Sequence, residues 1–562
     1  MKERVKKTIP WVLILALICS VVTFGLNFRS YPEISEVKAD TATTTVSVGN
    51  AAPTFTLGPT ESPVSATSTP TEATTTQSFY ATSSDPNGDN YYLAICKSDA
   101  VSPGTGGGAP TCDGGSWCIS GSTADDAQAS CSTTTQDAWS EVNDWWGFVC
   151  DAAASSQQCS GSSQGSGDSG SPFHVNHPPA FTAVTQNPSA DPGSNATWYA
   201  SSSDPDSNPQ DQVKLIVCDA SGFSTSTDTC TGSQLCASSL VNSDPSCSYS
   251  IPTPTDDDGS PYDAYTYVVD THGFEAYGGS YGDNAQYTVN NKSPSVPDVK
   301  LNNEQNIDLT EESTTTVNIT GLLSDDNGDA DISSAVAKAY RTGIGAGGCS
   351  SYNANNCYYN ISCNLESTDG DTNRYATCTA VFWYIADPTS GAGITPWSSE
   401  NWEAFLEATD DDSATGSATS SVAVEVNDLA ALDLDTGDIG YGSLGPGQDT
   451  GVINVTSTVA ATGNCALDTN LSGTAMTDDG NVIDVPYQEY STTSAPYDNY
   501  GDGTDLATST VEFELELAKS TATTTQSTSN IYWGLAVPGG QATGVYSGQN
   551  TFGAVRDELD WP

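Results

Sequence analysis

TWYASSSDPDSNPQDQVKLIVCD, residues 197–219, places two apolar runs on either side of an acidic turn rich in Pro, Asn and Asp. Runs of branched and aromatic residues bounded by such turn chemistry read as β-strands. A close relative, QSFYATSSDPNGDNYYLAICK, occupies residues 77–97, and a weaker third copy begins at Val317. The two close copies end on Cys. Two strands joined by an acidic turn, recurring along one chain, predict an all-β protein built from repeated modules.

Other segments recur around this one. GNAAPTF at Gly49, VNHPPAF at Val175 and VNNKSPSV at Val289 each read as the end of one module and the start of the next, and VNDLAAL at Val426 repeats the pattern without Pro. They divide the chain at 40–176, 177–290, 291–427 and 428–562. DWWGFVCD (144–151) and DAYTYVVD (263–270) lie near module ends, with NWEAFLEATD (401–410) as a looser copy. Period-2 alternation puts Trp146, Phe148 and Cys150, or Tyr265, Tyr267 and Val269, on one strand face, as in a core strand. In the last module VEFELEL (511–517) alternates strongly. A turn at Val537-Pro538-Gly539-Gly540 predicts a hairpin carrying Tyr532, Trp533, Val545 and Tyr546.

At 562 residues the chain exceeds a single core, and its composition, rich in Ser, Thr, Gly and Asp, suits strands and turns. Net charge is −55; residues 1–39 hold six of the fifteen bases and three of the seventy acids, so the remainder carries −58. Such a field repels phosphate and argues against a nucleic-acid partner. It attracts cations.

Residues 1–39 begin with a basic stretch and an apolar run from Ile9 to about Phe28. This is a signal peptide or an uncleaved signal anchor, the basic end staying in the cytoplasm and the rest exported. The N-terminal hydrophobic helix is thus the expected contact with membrane. Residues 59–76, rich in Ser, Thr and Pro, read as a flexible loop.

Cysteines come in fours: Cys96, Cys112, Cys118 and Cys131; Cys218, Cys230, Cys236 and Cys247; Cys349, Cys357, Cys363 and Cys378. Even sets in an exported chain predict disulfides, and the spacing lacks the close pairs of a zinc site. The constant middle gap favours a nested connectivity, Cys112–Cys118 inside Cys96–Cys131, with Cys230–Cys236 inside Cys218–Cys247 and Cys357–Cys363 inside Cys349–Cys378. Cys150 and Cys159 make an extra pair. Cys465 is left over, and a buried thiol is favoured over an intermolecular bridge.

The acidic turns gather hard oxygen donors: Asp85 and Asp89; Asp204, Asp206 and Asp211; Asp325, Asp326, Asp329 and Asp331. Ca²⁺ takes six to eight oxygens, and a Gly or Pro bend lets neighbouring side chains converge on one ion. A plain Asp-Gly or Asp-Pro turn uses the same residues for backbone reasons. The third run is the best candidate.

Gly167-Asp168-Ser169-Gly170-Ser171-Pro172 and two Gly-x-Ser-x-Gly matches, at Gly161 and Gly278, imitate hydrolase nucleophile segments. They lack a strand-to-helix elbow and a His in the required chain order, His174, His177 and His272 being the only ones. No catalytic site is expected. Trp117, Trp397 and Trp402, in or beside loops, are candidates for stacking on sugar rings.

The VNxxP junctions, the SSDPxGD-type turn and the Y-x-V-x-D strand resemble the bacterial Ig-like and cadherin-like sandwiches of cell-surface proteins. FVCDAAASSQQCSGSSQGSGDSGSPFHVNHPPAF (148–181) and YWGLAVPGGQATGVYSGQNTF (532–552) are most similar to exported proteins of the ultrasmall candidate-phyla bacteria. That family has a surface location rather than an established activity, and the third module departs from it in its insert at 386–400. The resemblance implies tandem β-sandwiches with intradomain disulfides and a non-catalytic role in adhesion or display. Expected partners are envelope or host-cell surface components, carbohydrate, or further copies of the chain. A surface-layer subunit and the stalk of an extracellular carbohydrate-active enzyme are the alternatives.

Overall fold

The computed structural model describes residues 43–161, 171–207, 210–391, 395–451, 453, 455–494, 503–557 and 561. The N-terminal hydrophobic segment 1–39 and most of the 161–172 motifs lie outside them. The described chain is almost entirely β, and its four largest apolar cores lie within residues 73–175, 181–289, 296–426 and 441–535. We call these blocks 1 to 4.

The opening stretch forms two strands, Asn195–Ser203 and Val213–Cys218. They do not pair with each other. Asn195–Ser203 lies between Ala180–Val184 and Ser246–Ser250, while Val213–Cys218 lies between Gln234–Ala237 and Tyr265–Asp270. The acidic turn is therefore a crossover between the two sheets of a sandwich. Trp198 on one sheet and Val213, Leu215 and Val217 on the other meet in the core. Block 1 repeats this plan with Thr76–Ser84 and Tyr91–Cys96. Block 3 does so with Thr314–Ser324 and Ile332–Arg341, its strand Cys357–Leu365 bridging the two halves into one folded seven-stranded sheet.

The strands Trp146–Asp151 and Tyr265–Asp270 are apolar on both faces. Val149 and Val268 enter the main cores, whereas Trp146 and Phe148, or Tyr265, Tyr267 and Val269, face small outer clusters beneath the cysteine loops. This two-sided burial sets the disulfides and overturns the nested pairing. The bonds run Cys96–Cys112 and Cys118–Cys131, Cys218–Cys230 and Cys236–Cys247, Cys349–Cys357 and Cys363–Cys378. In block 1 Cys118 stands opposite Ile95, so side-chain alternation sends it into the core and Cys96 to the outer face. Cys118 then reaches Cys131 in the other sheet, and Cys96 closes on Cys112 outside. Cys236 and Cys218 divide in the same way in block 2. Cys363 and Cys378 are direct cross-strand neighbours. Cys150–Cys159 forms as expected, and Cys465 is a buried free thiol.

In block 4 the hairpin expected at 537–540 is absent. Thr528–Leu535 pairs with Val455–Ala461 and Gln488–Ser491, while the last strand, Asn550–Arg556, joins Leu467–Gly473 in the other sheet. Trp533 is core and Val545 is exposed. Trp533 of one sheet and Leu471 of the other meet in the core between them. Among the described residues no helix is long and apolar enough to cross a membrane.

Candidate metal centres

The segments that begin each block are tied down by a recurring arrangement of Asn and Asp. Before block 1, Asn50 donates to Asp151 (2.7 Å) and the Ala51 N–H donates to Asn87 (2.8 Å). Between blocks 1 and 2, Asn176 donates to Asp270 (2.6 Å) and the His177 N–H to Asp206 (2.8 Å). Between blocks 2 and 3, Asn291 donates to Asp410 (3.3 Å) and the Lys292 N–H to Asn327 (2.7 Å). In blocks 2 and 3 the acidic turn thus sits at the head of its block, against the block before it. Turn geometry accounts for part of its composition: Gly88 (φ 74°) and Gly328 (φ 136°) occupy positive-φ positions, and one oxygen each of Asp85, Asp204 and Asp325 accepts the N–H two residues on.

The second oxygen of those three residues has no such role. Asp85 Oδ2, Asp204 Oδ2 and Asp325 Oδ2 are buried without a hydrogen-bond partner, as is Asp331 Oδ2. Orphaned buried carboxylate oxygens are costly unless a cation meets them. At the first joint Asp204, Asp206 and Asp211 offer oxygens within 4.8 Å of one another, and Asp211, Asp270 and His272 form an overlapping group. Burial, with Asp206, Asp270 and Asp211 around it, pushes the Asp204 carboxyl up to about 7. His177 bonds Asp206 (2.5 Å) and the Trp139 carbonyl (3.1 Å), and His272 bonds Asp211 (2.9 Å) and the Thr67 carbonyl (3.1 Å), so both imidazoles tie block 2 to block 1.

At the second joint Asp325, Asp331 and Asp410, all buried, converge within 4.8 Å. Burial pushes Asp325 up to about 6 and Asp331 up to about 8, the latter helped by Asp411, Asp325 and Asp257. Two Asp triplets face each other here, 256–258 from block 2 and 410–412 from block 3. Asp411 raises Asp258, and Asp412 and Asp411 add to the burial that raises Asp257. Asp326 points away and meets Lys292 (3.7 Å). Asp329 turns to another loop, accepting the N–H groups of Asp369 (2.7 Å) and Gly370 (3.3 Å) in a separate group with Asp369 and Asp371. Asp85 lies with Asn87 and Asp125, whose carboxylate accepts the Asp85 N–H (2.6 Å), and Asp89 is half-buried beside it. Sequence reasoning missed Asp270, Asp410 and both triplets. The signal was present in the Asp that closes each of the strands Trp146–Asp151, Tyr265–Asp270 and Trp402–Asp410.

The joint between blocks 3 and 4 is different. Asp387 (block 3) is buried between Arg341 (3.2 Å) and Lys519 of block 4 (3.2 Å), and Lys519 also donates to Asn355 (2.8 Å). Burial lifts Asp387 and lowers Lys519, while each partner's charge opposes the shift. Trp397 lies against both Arg341 and Lys519, with Trp561 edge-on to it. Cys465 is buried, and that burial pushes its thiol up to about 12, well away from reactivity at neutral pH.

The proposed sugar platforms are not free. Trp402 is fully buried, Trp117 lies beneath Lys97 against Trp139 and Phe173, and Trp397 is held at the joint. Ser280 of the Gly278 match is buried in a turn, and Ser171 accepts the Trp145 N–H (2.8 Å).

No protein-family profile and no curated protein matches the chain. Among solved structures, one described as a "Ca2+-stabilized adhesin" that "helps an Antarctic bacterium reach out and bind ice" is similar over 91% of this chain and 100% of that one, at 12% identity. Its TM-score is 0.25, a likeness too slight to bear on what this chain binds.

Proposed function

We propose that the chain is an exported, non-catalytic rod of Ig-like or cadherin-like sandwich modules that makes adhesive contacts at the cell surface, stiffened by Ca²⁺ at its first two joints. The observation that carries this reading is the set of orphaned, buried carboxylate oxygens of Asp204, Asp325 and Asp331 at places where one block meets the next. Asp204, Asp206, Asp211 and Asp270 would hold an ion at the first joint, and Asp325, Asp331 and Asp410 at the second. Both sets are all oxygen, the chemistry Ca²⁺ selects. Disulfides crossing or capping the sandwiches of blocks 1 and 2 suit an oxidising exterior and favour surface display. An adhesin must carry its contact surface away from the membrane, and a bound ion that neutralises facing Asp triplets supplies the necessary stiffness.

The test is small-angle scattering and thermal unfolding of the full-length chain in Ca²⁺ and in EGTA. The reading expects a larger spread of conformations and a lower first transition in EGTA. Identical profiles would remove Ca²⁺ from it. Loss of cell attachment on deleting the chain, with sparse surface labelling, would support adhesion; a dense ordered lattice would instead support a surface-layer subunit.

A further inference from the structure

The joint before block 4 repeats the Asn side-chain hydrogen bonds of the joint before block 3. At the earlier joint the Asn327 side-chain amide donates to the carbonyls of Asn290 and Thr255 (3.2 Å each), and its oxygen accepts the Lys292 N–H (2.7 Å). At the later one the Asn464 amide donates to the carbonyls of Asn427 (3.1 Å) and Ala386 (3.0 Å), and its oxygen accepts the Leu429 N–H (2.6 Å). This shared pattern aligns the two joints residue by residue. Asn291 corresponds to Asp428, and Asp325, two residues before Asn327, corresponds to Thr462, two before Asn464.

The charges at matched places are exchanged. Asn291 meets the carboxylate of Asp410 at the end of a strand; Asp428 meets the guanidinium of Arg556, also at the end of a strand. Where Asp325 leaves a buried oxygen unpartnered, Thr462 donates its hydroxyl to Glu311 of block 3 (2.8 Å). Two further carboxylates nearby have cations of their own: Asp387 has Arg341 and Lys519, and Glu400 has Arg341 (2.5 Å). Three of the nine Lys and Arg residues beyond residue 39 are gathered here, in a chain otherwise short of them.

We infer that Arg556, Lys519 and Arg341 do at this joint what a divalent cation does at the other two, so blocks 3 and 4 form a permanently rigid unit that takes up no ion at their junction. The molecule then has one stiff end, blocks 3 and 4, and two upstream joints whose stiffness follows the external Ca²⁺ concentration. The contrast rests on the proposed role of Ca²⁺ upstream, but the rigidity of the last joint does not.

Hydrogen exchange of the full-length protein, read by mass spectrometry on peptides from each joint in Ca²⁺ and in EGTA, separates the two. EGTA is expected to speed exchange around residues 290–292 and 325–331 by about tenfold or more, and to leave 427–429 and 462–464 unchanged. Lys519→Met should speed exchange at 427–429 and 462–464 equally in Ca²⁺ and EGTA, and Arg556→Gln, at a less buried site, should do so to a smaller extent. A response of 427–429 to EGTA like that of 290–292, or no response there to either substitution, would overturn the inference. If EGTA changes neither joint while both substitutions loosen the last one, the Ca²⁺ reading fails and the fixed-cation joint stands.

Discussion

The joints at Asn291 and at Asp428 place their backbones with the same three hydrogen bonds from one Asn side chain, yet fill the space beside them with opposite charge. The first converges buried carboxylates, Asp325, Asp331 and Asp410, against further acids of the preceding block. The second sets the buried carboxylate of Asp387 against both Arg341 and Lys519. One scaffold therefore accepts two solutions to the same electrostatic problem. A soluble cation can leave, and a tethered one cannot.

The largest expected effect comes from removing the mobile cation. With Ca²⁺ in about thousandfold excess over its dissociation constant, its loss costs about 4 kcal/mol per site, so calorimetry in EGTA should show blocks 2 and 3 melting earlier and block 4 unmoved. Lys519→Met breaks the tethered counterpart. It leaves Asp387 buried with Arg341 alone and should cost about 2–3 kcal/mol in the block 4 transition, measured by denaturant unfolding with and without Ca²⁺. Replacing Cys118 and Cys131 together by Ser should cost about 2–4 kcal/mol in block 1, and non-reducing peptide mapping should recover Cys96 joined to Cys112. Arg556→Gln should cost about 1 kcal/mol or less, since its pair with Asp428 is partly exposed.

The response of blocks 2 and 3 to pH should change sign with Ca²⁺. In EGTA the carboxyls of Asp325, Asp204 and Asp331 are raised to about 6, 7 and 8 from an ordinary 3.8, so the folded state holds more protons than the unfolded one between these values. Stability of blocks 2 and 3 should then fall as pH rises from about 4 to about 8. In Ca²⁺ the trend reverses, because the ion needs ionised carboxylates and acid displaces it. Thermal melts across this range in both conditions check the reversal.

Much of the fold was legible because strand alternation and turn chemistry are local. Trp198 and Leu215 announce a core from their own neighbours, and Asp204-Pro-Asp206 announces a bend. Pairing was not legible, since nothing in residues 197–219 states that its two strands enter different sheets. The disulfides failed for the same reason: Cys96 and Cys118 separate by which face of a sheet they occupy, a fact fixed by the Ile95–Cys118 register and not by sequence distance. At the candidate sites the turns supplied Asp204, Asp325 and Asp331, while Asp270 and Asp410 come from strand ends some sixty to eighty residues later in the chain. Asp326 and Asp329 sit within the same run yet point elsewhere, because successive residues of a turn face different directions.

Buried carboxylates at the first two joints are proposed to hold Ca²⁺. Isothermal titration of Ca²⁺ into full-length, chelator-stripped protein, and into the Asp204→Asn/Asp325→Asn variant, tests this most directly. Saturable binding is expected in the parent, with at least one ion for each of the two joints, and loss of those sites in the variant with its disulfides and block 4 transition intact. Absence of binding in the parent, or the same binding in the variant, would contradict it.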